Sequence, residues 1–372
     1  MKQNLIAKAI VLLLTSRVLI DIIFSRQKPQ ILIVFYTIFI LSLSLYLILT
    51  SKATIGRSNL TLILLLMSTV LLSLLNSNVG FVDHISFSLQ VLTPIIFLLS
   101  CSGRASVLAE SGKIFKKYIA APALILILTF SYLDYRTNGL GQSFFDYYAN
   151  QPNHVFAQTN LKISLLFFES IPFTVAGFML LGTLNVRSTI ASFIFSFLTF
   201  HKNKILKKSH LIKIVMLAFL VVTVFVIFTD IDLLLERVIF KNRTTGSSGS
   251  IDNFSSGRSE IYLYYGKYLL EKFTVLDWIV GKGPIWLDPK EFNLSAHNDF
   301  FNLIVSYGLL GFILICFAYY KFFSSLPKNI RPAAAICFFI LFLVNGVVFH
   351  QSTILFSLLY IYALETRHSN RT

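Results

Sequence analysis

Residues 30–50 read QILIVFYTIFILSLSLYLILT, twenty-one positions without a charged side chain. A helix rises about 1.5 Å per residue, so this run matches the roughly 30 Å hydrocarbon layer of a bilayer. It has neither the two-residue alternation of a barrel strand nor the single polar face of a soluble helix. In lipid, a lone segment of this kind satisfies its backbone only as a helix. The run therefore reads as a membrane span, and comparable runs recur along the chain.

Composition extends that reading outward. Of 372 residues, 55% are hydrophobic and 13% charged, about half the ~25% charged share of a soluble domain. Mean hydropathy is +0.73 over the whole length. The net charge of +15 does not point to nucleic acid, because the Lys and Arg residues gather in short links between apolar runs. These links are Lys52 and Arg57; Arg104, Lys113, Lys116 and Lys117; Lys202, Lys204, Lys207, Lys208 and Lys213; Lys321, Lys328 and Arg331; and the tail with Arg367 and Arg371. The positive-inside rule puts all five, and with them both termini, on the cytoplasmic side. The first apolar run, after Lys2 and Lys8, resembles a signal peptide but lacks a small-x-small cleavage site and reads as a retained helix. Cys101, Cys316 and Cys337 lie in or beside apolar runs and form neither a disulfide framework nor a zinc set. No metal or cofactor is expected.

Spans are expected at about 4–24, 30–50, 59–75, 84–100, 117–133, a crowded pair within 160–186, 188–200, 211–229, 298–320, 333–349 and 351–365. The fold class is thus an all-α integral membrane protein of about twelve spans (10–12). The crowded pair either crosses twice or dips in and returns, with Glu169 and Pro172 at the turn. Residues 1–229 form an N-terminal bundle with an external loop at about 134–160. Residues 230–297 form a large external loop, and 298–372 the last helices and tail. The large loop and its edges carry nine of the chain's 17 acidic residues. Within it, Ile261, Tyr264, Tyr265, Tyr268 and Leu269 have helical spacing, which predicts a helix lying on the membrane surface over 261–273.

Several residues at the expected outer side carry chemistry. Arg187 opens a helix, as an interfacial anchor or as an anion site, since its planar fork grips phosphate oxygens in pairs. Arg258 lies where a Ser/Gly-rich stretch meets the surface helix, as a solvated loop charge or beside the anion-binding N-terminus of that helix. His297 and Asn298 open a long span, and a histidine there either sits in the interface or handles a proton near neutral pH. Gly281-Lys282-Gly283-Pro284 reads as a turn or a phosphate cradle. The aromatic, polar loop ending in Pro152-Asn153-His154 offers rings for the interface or for stacking on sugars.

In order along the chain these pieces are Pro152-Asn153, Arg187-Ser188, Gly257-Arg258, Trp278 with Gly281-x-Gly283, His297-Asn298 and Tyr307-Gly308-Leu309-Leu310-Gly311. The set resembles the O-antigen ligase and Wzy-type polymerase superfamily, most closely over about 255–312. The resemblance implies a GT-C-like, metal-independent glycosyltransferase of the bacterial cytoplasmic membrane. Its donor would be a glycan on undecaprenyl diphosphate, used in O-antigen or capsule synthesis. Arg187 and Arg258 would hold the diphosphate and His297 would activate or position the acceptor hydroxyl. Asn298, Asn153 and Arg136 would contact substrate, and a chain-length regulator would be a partner. A ligase of the same superfamily fits these motifs equally. A transporter or flippase is the reading of another class, with Arg17, Asp21 and Glu169 as intramembrane polar candidates.

Overall fold

The computed structural model describes residues 2–23, 30–50, 53–101, 121–143, 154–184, 186–205, 258–288, 298–328, 330–344, 346–348 and 350–358, with positions 111, 114, 115, 118, 147, 295 and 296 between them. The expected span 211–229 lies outside them. Among the described residues the chain is helical and has no strand. The helices are α1 (Lys2–Ile23), α2 (Gln30–Leu49), α3 (Ala53–Leu75), α4 (Phe81–Cys101), α5 (Ala121–Asn138), α6 (His154–Ser164), α7 (Ile171–Thr183), α8 (Arg187–Ile205), α9 (Arg258–Lys272), α10 (Val275–Val280), α11 (Asp299–Ser325) and α12 (Arg331–Val344). Short 3₁₀ turns follow at Leu165–Phe167, Ile285–Leu287 and Gln351–Phe356.

Four described helices are long and apolar enough to cross a membrane: Ile31–Leu49, Arg57–Leu75, Phe81–Cys101 and Asp299–Ser325. The protein is therefore a multi-pass, membrane-embedded helical bundle. The expected count of about twelve spans (10–12) is not reached among the described residues. α12 stops at Val344, short of the expected 349. The expected span 351–365 begins as a buried 3₁₀ turn. Helix also covers both ends of the loop expected at 134–160, since α5 runs to Asn138 and α6 starts at His154.

Packing sorts the helices by what they face. α2 and α3 expose a stripe of large apolar side chains, among them Val34, Phe35, Leu45, Leu64 and Leu71. In water such stripes would drive association, whereas in lipid they are simply solvated. α4 is enclosed, with most of its length buried against α2, α3, α11 and the 351–356 turn. Side chains tie the bundle together across helices: Asn59 Nδ2 donates to Leu99 O (2.8 Å), Ser196 Oγ to Ala333 O (3.0 Å) and Tyr36 OH to Leu13 O (3.0 Å). Each such bond in a membrane protein contributes about 0.6 kcal/mol on average.

The crowded stretch folds as a tight antiparallel hairpin. α6 with its 3₁₀ extension runs about 22 Å and α7 about 20 Å, from 1.5 Å per α-helical residue and about 2 Å per 3₁₀ residue. A Cβ at Gly177 would land on Ser164, so the arms approach more closely than any other residue would allow. The turn falls where Glu169 and Pro172 predicted it. Its Phe168 carbonyl accepts from His201 Nε2 (2.8 Å), on the last turns of α8 beside exposed Lys202. Glu169 is exposed at this tip. Arg17 and Asp21 are buried, but they answer one another. Arg17 Nε donates to Asp21 Oδ2 (2.9 Å), Nη2 reaches Oδ1, and Thr159 Oγ1 donates to Oδ2 (2.9 Å).

Candidate functional site at the end of the bundle holding Asp83 and Asn298

The site is built around a break in α11. Gly308 has φ 63° and ψ −173° inside an otherwise regular helix. That conformation belongs to glycine, and it strips the carbonyls before it of their helical donors. A segment distant in sequence replaces those donors. Gly281 (φ 80°) ends α10 and turns the chain alongside the break. Lys282 N–H then donates to Val305 O (2.8 Å) and Gly283 N–H to Ser306 O (3.1 Å). Ser73 Oγ of α3 also donates to Ser306 O. The Gly281-x-Gly283 motif is thus a splice that satisfies a broken helix, and these N–H groups are not free to cradle phosphate. The Lys282 ammonium is likewise engaged, with Lys272 O (2.9 Å) and with Asp277 Oδ2 (3.3 Å).

The splice is pinned from the turn after α3 by Asn76 Nδ2, which donates to Asp277 Oδ1 (2.7 Å) and to Gly281 O (2.8 Å). Thr274 and Asp277 form a capping box at the start of α10. Burial works against the Asp277 charge. Hydrogen bonds from Thr274 N–H, Asn76, Thr274 Oγ1 and Lys282 outweigh it and hold the carboxyl below the usual aspartate range.

Beyond the splice the chain places Trp286 against α4. Trp286 meets the Phe87 ring edge-on (5.2 Å, 81°), and Phe87 stacks on Tyr307 (6.1 Å, 18°), the residue before the break. Tyr307 OH donates to Ser88 Oγ (3.0 Å). In front of this aromatic wall lies a pocket of about 430 Å³, lined among others by Asp83, Gln90, Asn302 and His350. Asp83, Ser86, Phe87 and Gln90 lie on one face of α4. Pro94 in the same helix has no N–H to give the Gln90 carbonyl.

Part of the lining comes from the turn after α12, which Asp299 organises. The buried Asp299 Oδ2 accepts from Val347 N–H (2.6 Å) and Val348 N–H (3.0 Å). Gln158 Nε2 of α6 donates to Gly346 O (3.1 Å), and the fully buried Lys162 Nζ donates to Ser352 Oγ (2.8 Å). Gly346 and His350, on this turn, line the pocket. Asp299→Ala leaves two buried N–H groups without an acceptor, at about 1–3 kcal/mol each. Thermal unfolding in detergent should show a loss of about 2–6 kcal/mol, with Asp299→Asn, which keeps an acceptor oxygen, less affected. An Asp299→Ala protein that melts like the wild type would mean the clasp does not stabilise the wall.

Of the residues singled out in the sequence, Arg187 and Arg258 each begin a helix, α8 and α9. Their side chains, His297 and Asn153 lie outside the described set. Asn298 is the N-cap of α11, its Oδ1 accepting from Phe300 N–H (2.8 Å), and it is 8% exposed. Its side-chain oxygen is thus occupied in capping. Arg136 is exposed in the last turn of α5 and is not among the pocket residues. The pocket is instead flanked by Ser295 and Asn302, on either side of His297-Asn298. Asn302 Oδ1 accepts from Ala296 N–H (3.0 Å). Asp83, Phe87, Gln90, Trp286, Asn302 and His350 line the pocket outside the sequence motifs. The 83, 86, 90 spacing on α4 was the available signal. No protein-family model matches the chain, and no curated protein matches it.

Proposed function

We propose that the protein is a polysaccharide polymerase, a glycosyltransferase that moves glycan from undecaprenyl diphosphate to the next lipid-linked repeat unit. On this reading it has about a dozen spans in the GT-C manner and lies in the bacterial cytoplasmic membrane with both termini inside. The pocket end then faces outward, where lipid-linked glycans are presented, and a chain-length regulator is a partner. The observation that carries the reading is the pocket, whose aromatic wall and ring of amide, carboxylate and imidazole groups are bracketed by Ser295 and Asn302 around His297-Asn298. Arginines at the starts of α8 and α9 supply the paired cationic donors that a diphosphate leaving group needs as its charge develops. A transport reading has less to draw on, because Arg17 and Asp21 pair with one another and Glu169 is exposed.

The test is a glycan profile of a deletion strain beside a His297→Ala strain. A polymerase leaves single repeat units capped onto the acceptor in both, with the variant protein still in the membrane. Complete polymer retained on undecaprenyl diphosphate would instead identify a ligase. A normal chain-length ladder in the deletion strain would reject both.

A further inference from the structure

We propose that the pocket between α4, Trp286 and the 346–350 turn is a saccharide site for an uncharged hexose or N-acetylhexosamine, and that the diphosphate binds elsewhere. The assignment to a substrate sugar rests on the polymerase reading; the ligand class is argued from the wall itself. Its volume of about 430 Å³ falls within the ~300–1,000 Å³ usual for small-molecule sites. One side is apolar, formed by Phe87 and Trp286, and the C–H face of a sugar ring packs on such a surface. The polar lining is Asp83 and Gln90, on the same face of α4 as Phe87, with Asn302 and His350 from other segments. Asp83 only accepts, while the amides and the imidazole carry both donors and acceptors, and vicinal hydroxyls, each donor and acceptor at once, match that mixture.

Charge decides against the diphosphate. Among the described lining residues there is no Lys or Arg, and the charged side chain is the Asp83 carboxylate. Phosphate sites are made from cationic forks and free helix N-termini. Here the nearby start of α11 is already capped by Asn298, and Asp83 occupies the first turn of α4. A phosphate or a uronate in this pocket would face a like charge. The same carboxylate accepts freely from hydroxyl and amide N–H groups. Asp83 is therefore the specificity-determining residue, selecting against acidic sugars.

The chain has two tryptophans, which makes the test direct. Trp278 packs on Phe273 in α10, whereas Trp286 lines the pocket. Full-length Trp278→Phe protein in lipid nanodiscs at pH 7 carries Trp286 as its reporter. The probes are the methyl glycosides of glucose, N-acetylglucosamine and glucuronic acid. At least one uncharged probe should change the emission saturably, with the glucuronide about tenfold weaker. Asp83→Asn should bring the glucuronide close to the neutral probe. If Trp278→Phe fails to fold, the same titration runs on wild-type protein, with Trp286→Phe expected to abolish the response. Absence of saturable change with every probe, equal binding of the glucuronide, or unaltered selectivity in Asp83→Asn would each overturn the proposal. The titration needs no lipid-linked substrate. A deletion strain with normal polymer would reject the polymerase reading and leave this result standing, and failed sugar binding would leave the glycan profile untouched.

Discussion

Alanine at Gly308 is expected to remove much of the protein's stability. The backbone there lies at φ 63° and ψ −173°, a region occupied by glycine and costing other residues about 1–3 kcal/mol. The added Cβ would also fall on the Ile279 carbonyl and 2.6 Å from Val280 N. These are backbone atoms, so no rotamer change relieves the contact, and overpacking of this kind costs about another 1–3 kcal/mol or more. Displacing α10 would further undo the Lys282–Val305 and Gly283–Ser306 bonds, exposing polar backbone inside the bundle. Against a net stability of about 5–15 kcal/mol, a sum of about 2–6 kcal/mol plus the lost splice removes much of the margin that keeps the protein folded. Gly266→Ala in α9 is the control, since a Cβ there meets nothing within 4 Å and alanine is the better helix former. Yield and melting temperature in detergent compare the two. If Gly308→Ala protein melts together with Gly266→Ala protein, the break is not what holds this end of the bundle.

The break marks the boundary of what hydropathy can reveal. Apolar runs and helical spacing located helices well: 30–50 corresponds to Gln30–Leu49, 84–100 to Phe81–Cys101, and the helical spacing over 261–273 to Arg258–Lys272. Hydropathy reports transfer from water and is silent on backbone conformation inside the protein. Residues 346–348 and 351–356 lie within expected spans, yet they form an irregular turn and a 3₁₀ helix. They can do so because Asp299, Gln158 and neighbouring backbone groups supply the hydrogen bonds that lipid would not. Irregular backbone in a membrane protein is tolerated where protein buries it. The same limit hid the role of Gly281 and Gly283, whose partners lie more than 20 residues away. The pocket was hidden for a related reason. It takes Asp83, Trp286, Asn302 and His350 from four separate segments, and only their shared fold brings them to one wall.

On the proposed function, Arg258→Ala is expected to reduce polymerisation turnover by about 10²–10³-fold, the effect of removing one donor from a developing oxyanion. Arg258→Lys should recover part of that loss, because an ammonium keeps the charge but not the two-pronged fork. Stability should move the other way. Arg258 is the first residue of α9, where the positive end of the helix dipole disfavours a cation by about 0.3–1 kcal/mol. A purely structural view of this position predicts that alanine is neutral or mildly stabilising for the helix and without consequence for polymer. The functional view predicts the same melting behaviour together with lost activity. Arg187, first in α8, has the same unfavourable placement and should show the same split. Two arginines set where helix electrostatics would sooner have an acid make sense if an anion completes each site. Binding of a diphosphate then converts two repulsions into two attractions, so inorganic diphosphate should raise the melting temperature of the wild type and not of the Arg187→Ala, Arg258→Ala double variant. An equal rise in both proteins would show that the diphosphate is held by other residues.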